Sequence, residues 1–97
     1  MIYGMYIRHE LTDQELMSKY RDKVRGTVEE YGGQYLASDG HVEVIEDNWS
    51  PPRTVLIAFN TREDLDRWWN SPECQATLPF RLKGAKGTAI VMHRLEA

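Results

Sequence analysis

Apolar residues in this chain gather in short runs of one strand's length, separated by longer stretches of helical period. Ile2 to His9 mixes β-branched, aromatic and thioether side chains and stops where polar residues begin, which predicts a first strand. Thr12 and Glu15 then have capping-box spacing, with Leu11 and Leu16 placed for a hydrophobic staple. The helix they open, residues 13 to 31, carries Leu16, Tyr20, Val24 and Val28 at every fourth position, with Thr27 and Tyr31 alongside. Gly32 and Gly33 supply its left-handed stop.

From Gln34 to Asp47 the sequence reads as extended, with an irregularity expected at Ser38-Asp39-Gly40 and clear alternation from His41 to Glu46. Pro51 and Pro52 make the next segment a loop, and Arg53 to Phe59 predicts a third strand. Thr61 opens a helix carrying Leu65, Trp68 and Trp69, and Ser71-Pro72 ends it and starts another. Pro79 is expected to limit that piece to roughly two turns. Gly84 and Gly87 are expected to frame a turn before a last strand, Thr88 to His93.

The resulting order, βαββαβ with right-handed crossovers, predicts one α+β domain over residues 1 to 97. Its fold class is ferredoxin-like: a four-stranded antiparallel sheet with helices on one face. A sheet half in water should alternate apolar and polar residues, yet Val55 to Phe59 and Ala89 to Met92 are apolar on both faces. Two helices cannot cover both sides. The expected solution is a second copy, sheet against sheet, giving a homodimer.

Composition narrows the partners. With 12 basic and 15 acidic residues the net charge is −3, and no basic cluster marks a nucleic-acid or membrane surface. No apolar run reaches a membrane span of about 20 residues, and the N-terminus lacks the charge and apolar run of a secretion signal. A lone cysteine, Cys74, fits a reducing compartment, so a cytoplasmic location is expected. Without a glycine-rich phosphate loop or dinucleotide fingerprint, no nucleotide cofactor is expected.

Tyr31-Gly32-Gly33-Gln34-Tyr35-Leu36, Glu43 to Trp49 with Pro51 and Arg53, then Phe59, Trp68 and Ser71-Pro72-Glu73, form a set that resembles a family catalogued as domain of unknown function 1330. The likeness covers nearly the whole chain. It implies a dimeric α+β barrel, in a superfamily that includes cofactor-free monooxygenases, isomerases and heme enzymes. The sequence departs from the usual pattern at Asp47, where glycine is common, and at Cys74, where an aromatic residue is usual.

Candidate chemistry follows from the topology. His9 and His93 fall at opposite ends of the sheet, so a three-histidine metal site with His41 is not expected. His41 and Glu43 share a strand face in the predicted extended segment and form a candidate general-base pair. Glu46, Trp49 and Arg53 meet across a hairpin connection. A guanidinium fork beside an indole wall suits a small planar anion or carbonyl compound. A Glu46–Arg53 ion pair bracing the hairpin is the structural alternative. Trp68 and Trp69 cannot both face the core; Trp68 has the core spacing, leaving Trp69 to a cleft or interface. Arg81 is placed to close a pocket over an anion. Ser71 reads as helix-start chemistry, and Cys74, near a helix start, as an inert thiol or one activated by the dipole.

Two functions fit. One is a cofactor-independent enzyme on a small carbonyl, enol or aromatic compound, in a pocket between sheet and helices. There Arg53 and Arg81 hold an anionic oxygen, Glu46 or the His41–Glu43 pair moves a proton, and Trp49 and Trp68 form walls. The other is a non-catalytic dimeric module that binds a metabolite or assembles with a partner.

Overall fold

Helix-start residues set the first crossover, one position later than the capping-box spacing predicts. In the computed structural model, which describes residues 1–95, the Asp13 carboxylate accepts the Leu16 N–H at 3.1 Å and caps α1 (Gln14–Glu30). Thr12 is drawn away because its hydroxyl donates to the Lys83 carbonyl at 2.8 Å. The helix ends as Gly32 and Gly33 imply. Their N–H groups donate to Glu29 and Val28, the Schellman pattern, with Gly32 at φ 82°.

The remaining elements are β1 (Ile2–Leu11), β2 (Gln34–Asp39), β3 (Arg53–Phe59), α2 (Arg62–Trp69), α3 (Pro72–Gly84) and β4 (Ala85–His93). The strands form one antiparallel sheet in the order β2-β3-β1-β4, the ferredoxin-like arrangement. Thr61 caps α2 by accepting the Asp64 N–H at 3.1 Å. Ser71 joins the two helices, accepting from the Cys74 N–H at 3.1 Å and donating to the Trp68 carbonyl at 2.7 Å.

Three boundaries differ from those predicted. Pro79 lies inside α3 without ending it. Pro79 and Gln75, whose carbonyl loses its partner to the missing N–H, are both exposed, so solvent is available to that carbonyl. Packing of α3 along α1 carries the helix on to Gly84. No turn precedes β4. The Gly84 carbonyl instead accepts from Thr12 and Asp13, both at 2.9 Å, tying the end of α3 to the start of α1. Finally, β2 stops at Asp39, whose carboxylate accepts the His41 N–H at 2.7 Å and turns the chain. The neighbour of edge strand β2 is β3, which begins only at Arg53 after Pro51 and Pro52, so the alternating segment from His41 has no strand to pair with. It runs as an irregular connection to β3, with Asp47 at φ 92°.

All three helices cover one face of the sheet. The core between the layers is Phe59 and Val28, fully buried, with Ile2, Val24, Ile57, Leu65, Trp68 and Cys74. The molecule is only two layers thick, with extents of 36 × 34 × 15 Å. Register places Tyr3, Met5, Leu56, Ile90 and Met92 together on the face away from the helices, and among the described residues no helix covers them. Ile90 and Met92 are 40% and 38% exposed.

A β-bulge interrupts β2 against β3. Tyr35 pairs with Ile57, but Ala37 pairs with Leu56 and Ser38 with Val55, so Leu36 is the extra residue. Beyond it the faces exchange, and Ser38 points to the helix side. Among the described residues no helix is long and apolar enough to cross a membrane.

Candidate functional site

Alternate residues of β1 face the helices, and Gly4, Tyr6 and Arg8 fall on that side. Gly4 and Tyr6, with Ile57 and Val91, floor a cleft of about 250 Å³ roofed by Leu65, Trp68, Trp69 and Arg81. Glycine at position 87 makes room for its wall. A Cβ there would stand 2.6 Å from the Tyr6 Cε1, so any side chain would displace the Tyr6 ring.

Arg81 is the charged group of this cleft that the Arg62–Asp66 ion pair leaves unneutralised. Its guanidinium carbon lies 4.7 Å from the Tyr6 ring centroid, 5.8 Å from that of Trp69 and 5.9 Å from that of Tyr20. Among the described residues it has no carboxylate partner. The one acidic residue lining the cleft, Asp66, is held by Arg62 at 3.0 Å. Burial raises the Tyr6 and Tyr20 hydroxyls above their ordinary pKa, with Arg81 opposing in both cases. Tyr35 is raised further, again by burial. All three phenols are therefore neutral at physiological pH and keep a proton to donate. Trp68 is fixed rigidly, its indole N–H donating at 3.0 Å to the Thr27 hydroxyl, which donates in turn to the Val24 carbonyl at 2.6 Å.

Tyr6, Tyr20, Tyr35 and Val55 also border a second hollow of about 380 Å³ between α1 and the β2–β3 side of the sheet. Its polar lining is Arg8, Arg21, Arg25, Arg53, Ser38 and the same tyrosines, with no acidic side chain.

Of the residues singled out from sequence, Trp68 and Arg81 meet in the first cleft and Arg53 lines the second hollow. Trp69 also lines the first cleft, at its rim beside Arg81. Arg53 donates to the Ser38 hydroxyl at 2.7 Å. Trp49 is half exposed and packs its ring 5.7 Å from that of His9. Glu46, His41 and Glu43 are exposed on the irregular connection, line neither hollow, and do not share a strand face. Glu46 forms no ion pair among the described residues, so the expected brace to Arg53 is absent there. His9 is bonded to Thr88 at 2.9 Å while His93 pairs across from Ile2, at opposite ends of β1. No three His, Cys, Asp or Glu side chains cluster as a metal site among the described residues. Cys74 is buried, and burial raises its thiol pKa against the pull of Arg81, so it is not activated.

Sequence reasoning missed Tyr6, Tyr20 and Arg8 as site residues. The period-two set Gly4, Tyr6, Arg8 on the helix face of β1 carried the signal.

This geometry belongs to a widespread fold. A dimeric ferredoxin-like protein of unknown function from Jannaschia sp. CCS1 superposes with a TM-score of 0.80 at 11% identity, over 96% of this chain and 98% of that one. A protein of unknown function from Rhodopseudomonas palustris gives 0.77 at 11% identity, over 99% and 83%. A structure described as an antibiotic biosynthesis monooxygenase gives 0.59 at 19% identity, over 99% and 100%. No curated protein matches the sequence. The family model of DUF1330, a domain of unknown function, matches residues 3–95, and the chain belongs to that family.

Proposed function

We propose that the protein is a cytoplasmic homodimer in which each subunit binds a small molecule with a flat apolar body and an anionic head. The observation that carries this reading is Arg81: a guanidinium without a carboxylate partner among the described residues, framed by three aromatic rings inside a mostly apolar cleft. Such a site supplies apolar walls and one orienting charge. At about 250 Å³ it suits a ligand of single-ring size. Trp68 and Trp69 form the walls, Arg81 takes the anionic oxygens, and the neutral Tyr6 and Tyr20 hydroxyls donate to them.

Binding without turnover is the better supported of the two functions inferred from sequence. The groups expected to move a proton, Glu46, His41 and Glu43, lie outside the cleft lining. The tyrosines within it hold their protons too tightly to act as bases near neutral pH. Dimerisation is supported by the uncovered apolar sheet face and by the dimeric description of the Jannaschia relative. The reducing compartment is supported by the buried free thiol of Cys74.

Benzoate, a minimal flat carboxylate, tests the reading through tryptophan fluorescence. It is expected to quench Trp68 and Trp69 saturably, and Arg81→Met is expected to abolish that response while circular dichroism stays native. Absence of a saturable response, or an equal one in Arg81→Met, refutes it.

A further inference from the structure

The second hollow poses an electrostatic problem that the first cleft does not. Register sets Arg8 of β1 directly opposite Arg53 of β3. Like charges opposed across a strand pair repel and destabilise. Arg21 from α1 lines the same hollow, and none of the three belongs to an ion pair among the described residues. The Arg8 Nε is buried and has no hydrogen-bond partner. Burial lowers the Arg8 pKa, Arg53 adds to the effect, Tyr6 opposes it and Arg21 adds again. Arginine nevertheless stays charged near neutral pH, so the repulsion is carried by the fold.

A sheet does not gain stability from such an arrangement; an anion seated among the three guanidiniums reverses its sign. Their planar forks match tetrahedral oxyanions, and one monoanion leaves most of the positive charge uncompensated, whereas a phosphate group brings about −1.5 to −2. Ser38 stands ready as a further hydrogen-bonding group, already oriented by Arg53 at 2.7 Å. Met17, Val24 and Leu36 line the apolar remainder of the space.

We propose that this hollow is a second ligand site, taking a dianionic oxyanion such as a phosphate monoester, with Arg8, Arg53 and Arg21 as its binding residues. It is separate from the Arg81 cleft, since none of those three arginines lines that cleft. The two readings therefore stand or fall independently.

The test is calorimetric titration and thermal melting of the intact protein with inorganic phosphate at pH 8, against potassium chloride at equal ionic strength. Phosphate is expected to bind saturably and raise the melting midpoint. Arg8→Met and Arg53→Gln are expected to weaken binding by about tenfold or more, the loss of a charged hydrogen bond. Without phosphate, each should melt higher than the wild type, because the opposed charge is gone. Arg94→Gln, at the opposite end of the sheet, removes the same charge and should leave phosphate binding unchanged. Should Arg8→Met fail to fold, Arg21→Gln on the exposed side of α1 tests the same hollow without touching the sheet. Chloride matching phosphate, or phosphate binding that survives both Arg53→Gln and Arg21→Gln, overturns the proposal.

Discussion

Arg81 of α3 lies over the ring of Tyr6 of β1, its guanidinium carbon 4.7 Å from the ring centroid. The pair couples the helix layer to the sheet across the cleft. A partly desolvated cation–π contact contributes about 0.5–2 kcal/mol. A double-mutant cycle with Arg81→Met and Tyr6→Leu, read by urea unfolding, should return a coupling energy in that range. Additivity of the two substitutions would show that the ring and the charge do not sense one another.

Asp47 holds φ 92° on the connection between β2 and β3, its carboxylate accepting the next residue's N–H at 2.7 Å. Side chains strain the backbone there and glycine does not. Asp47→Gly should therefore stabilise the protein by about 1 kcal/mol, measured by denaturant midpoint with an unchanged slope. A lower midpoint would mean that the carboxylate contributes more than the strain removes.

Two half-buried tyrosines are expected to set the alkaline limit. Tyr20 and Tyr35 both have pKa values raised by burial. Above an ordinary phenol pKa of about 10, the unfolded chain releases protons that the native state retains, so stability falls as pH rises. The contribution is fully present below about pH 10 and is lost progressively above it. Tyr35→Phe should flatten this decline in urea midpoints without altering their values near neutral pH. An unchanged alkaline slope would place the responsible groups elsewhere.

Leu56 sits amid the uncovered face, paired with Met5 of β1. A charge there opposes itself across a two-fold interface between identical sheets. Light scattering at micromolar concentration should give twice the chain mass for the wild type and the single chain mass for Leu56→Lys, with circular dichroism preserved. A wild type at single mass would remove the dimer from the proposed function.

The fold was legible because its signals are local and redundant. Thr61 and Ser71 cap the helices they announce, and Gly32 and Gly33 close α1. What misled were residues whose meaning is tertiary. The alternation from His41 to Glu46 is a strand pattern with no neighbour available to pair with it. Pro79 is tolerated because its helix is held along α1. The candidate site was half legible for the same reason. Trp68 and Arg81 announce themselves as a wall and a charge, whereas Tyr6 and Arg8 show in the sequence a shared strand face, whose meaning comes from the register that sets them beside Gly87 and Arg53.

The extra residue in β2 sets the charge balance of the second hollow. Leu36 is the offset that turns Ser38 toward Arg53. Were the bulge flattened with Leu36 retained, Leu36 would pair with Leu56 and Ser38 with Thr54, turning Ser38 to the opposite face and bringing Asp39 opposite Arg53 on the helix side, since strand side chains alternate. A carboxylate would then confront the arginines and neutralise them from within. Register alone, bulged or regular, thus decides whether this end of the sheet is an anion site or an internal ion pair, with no change in the chemistry of the strand.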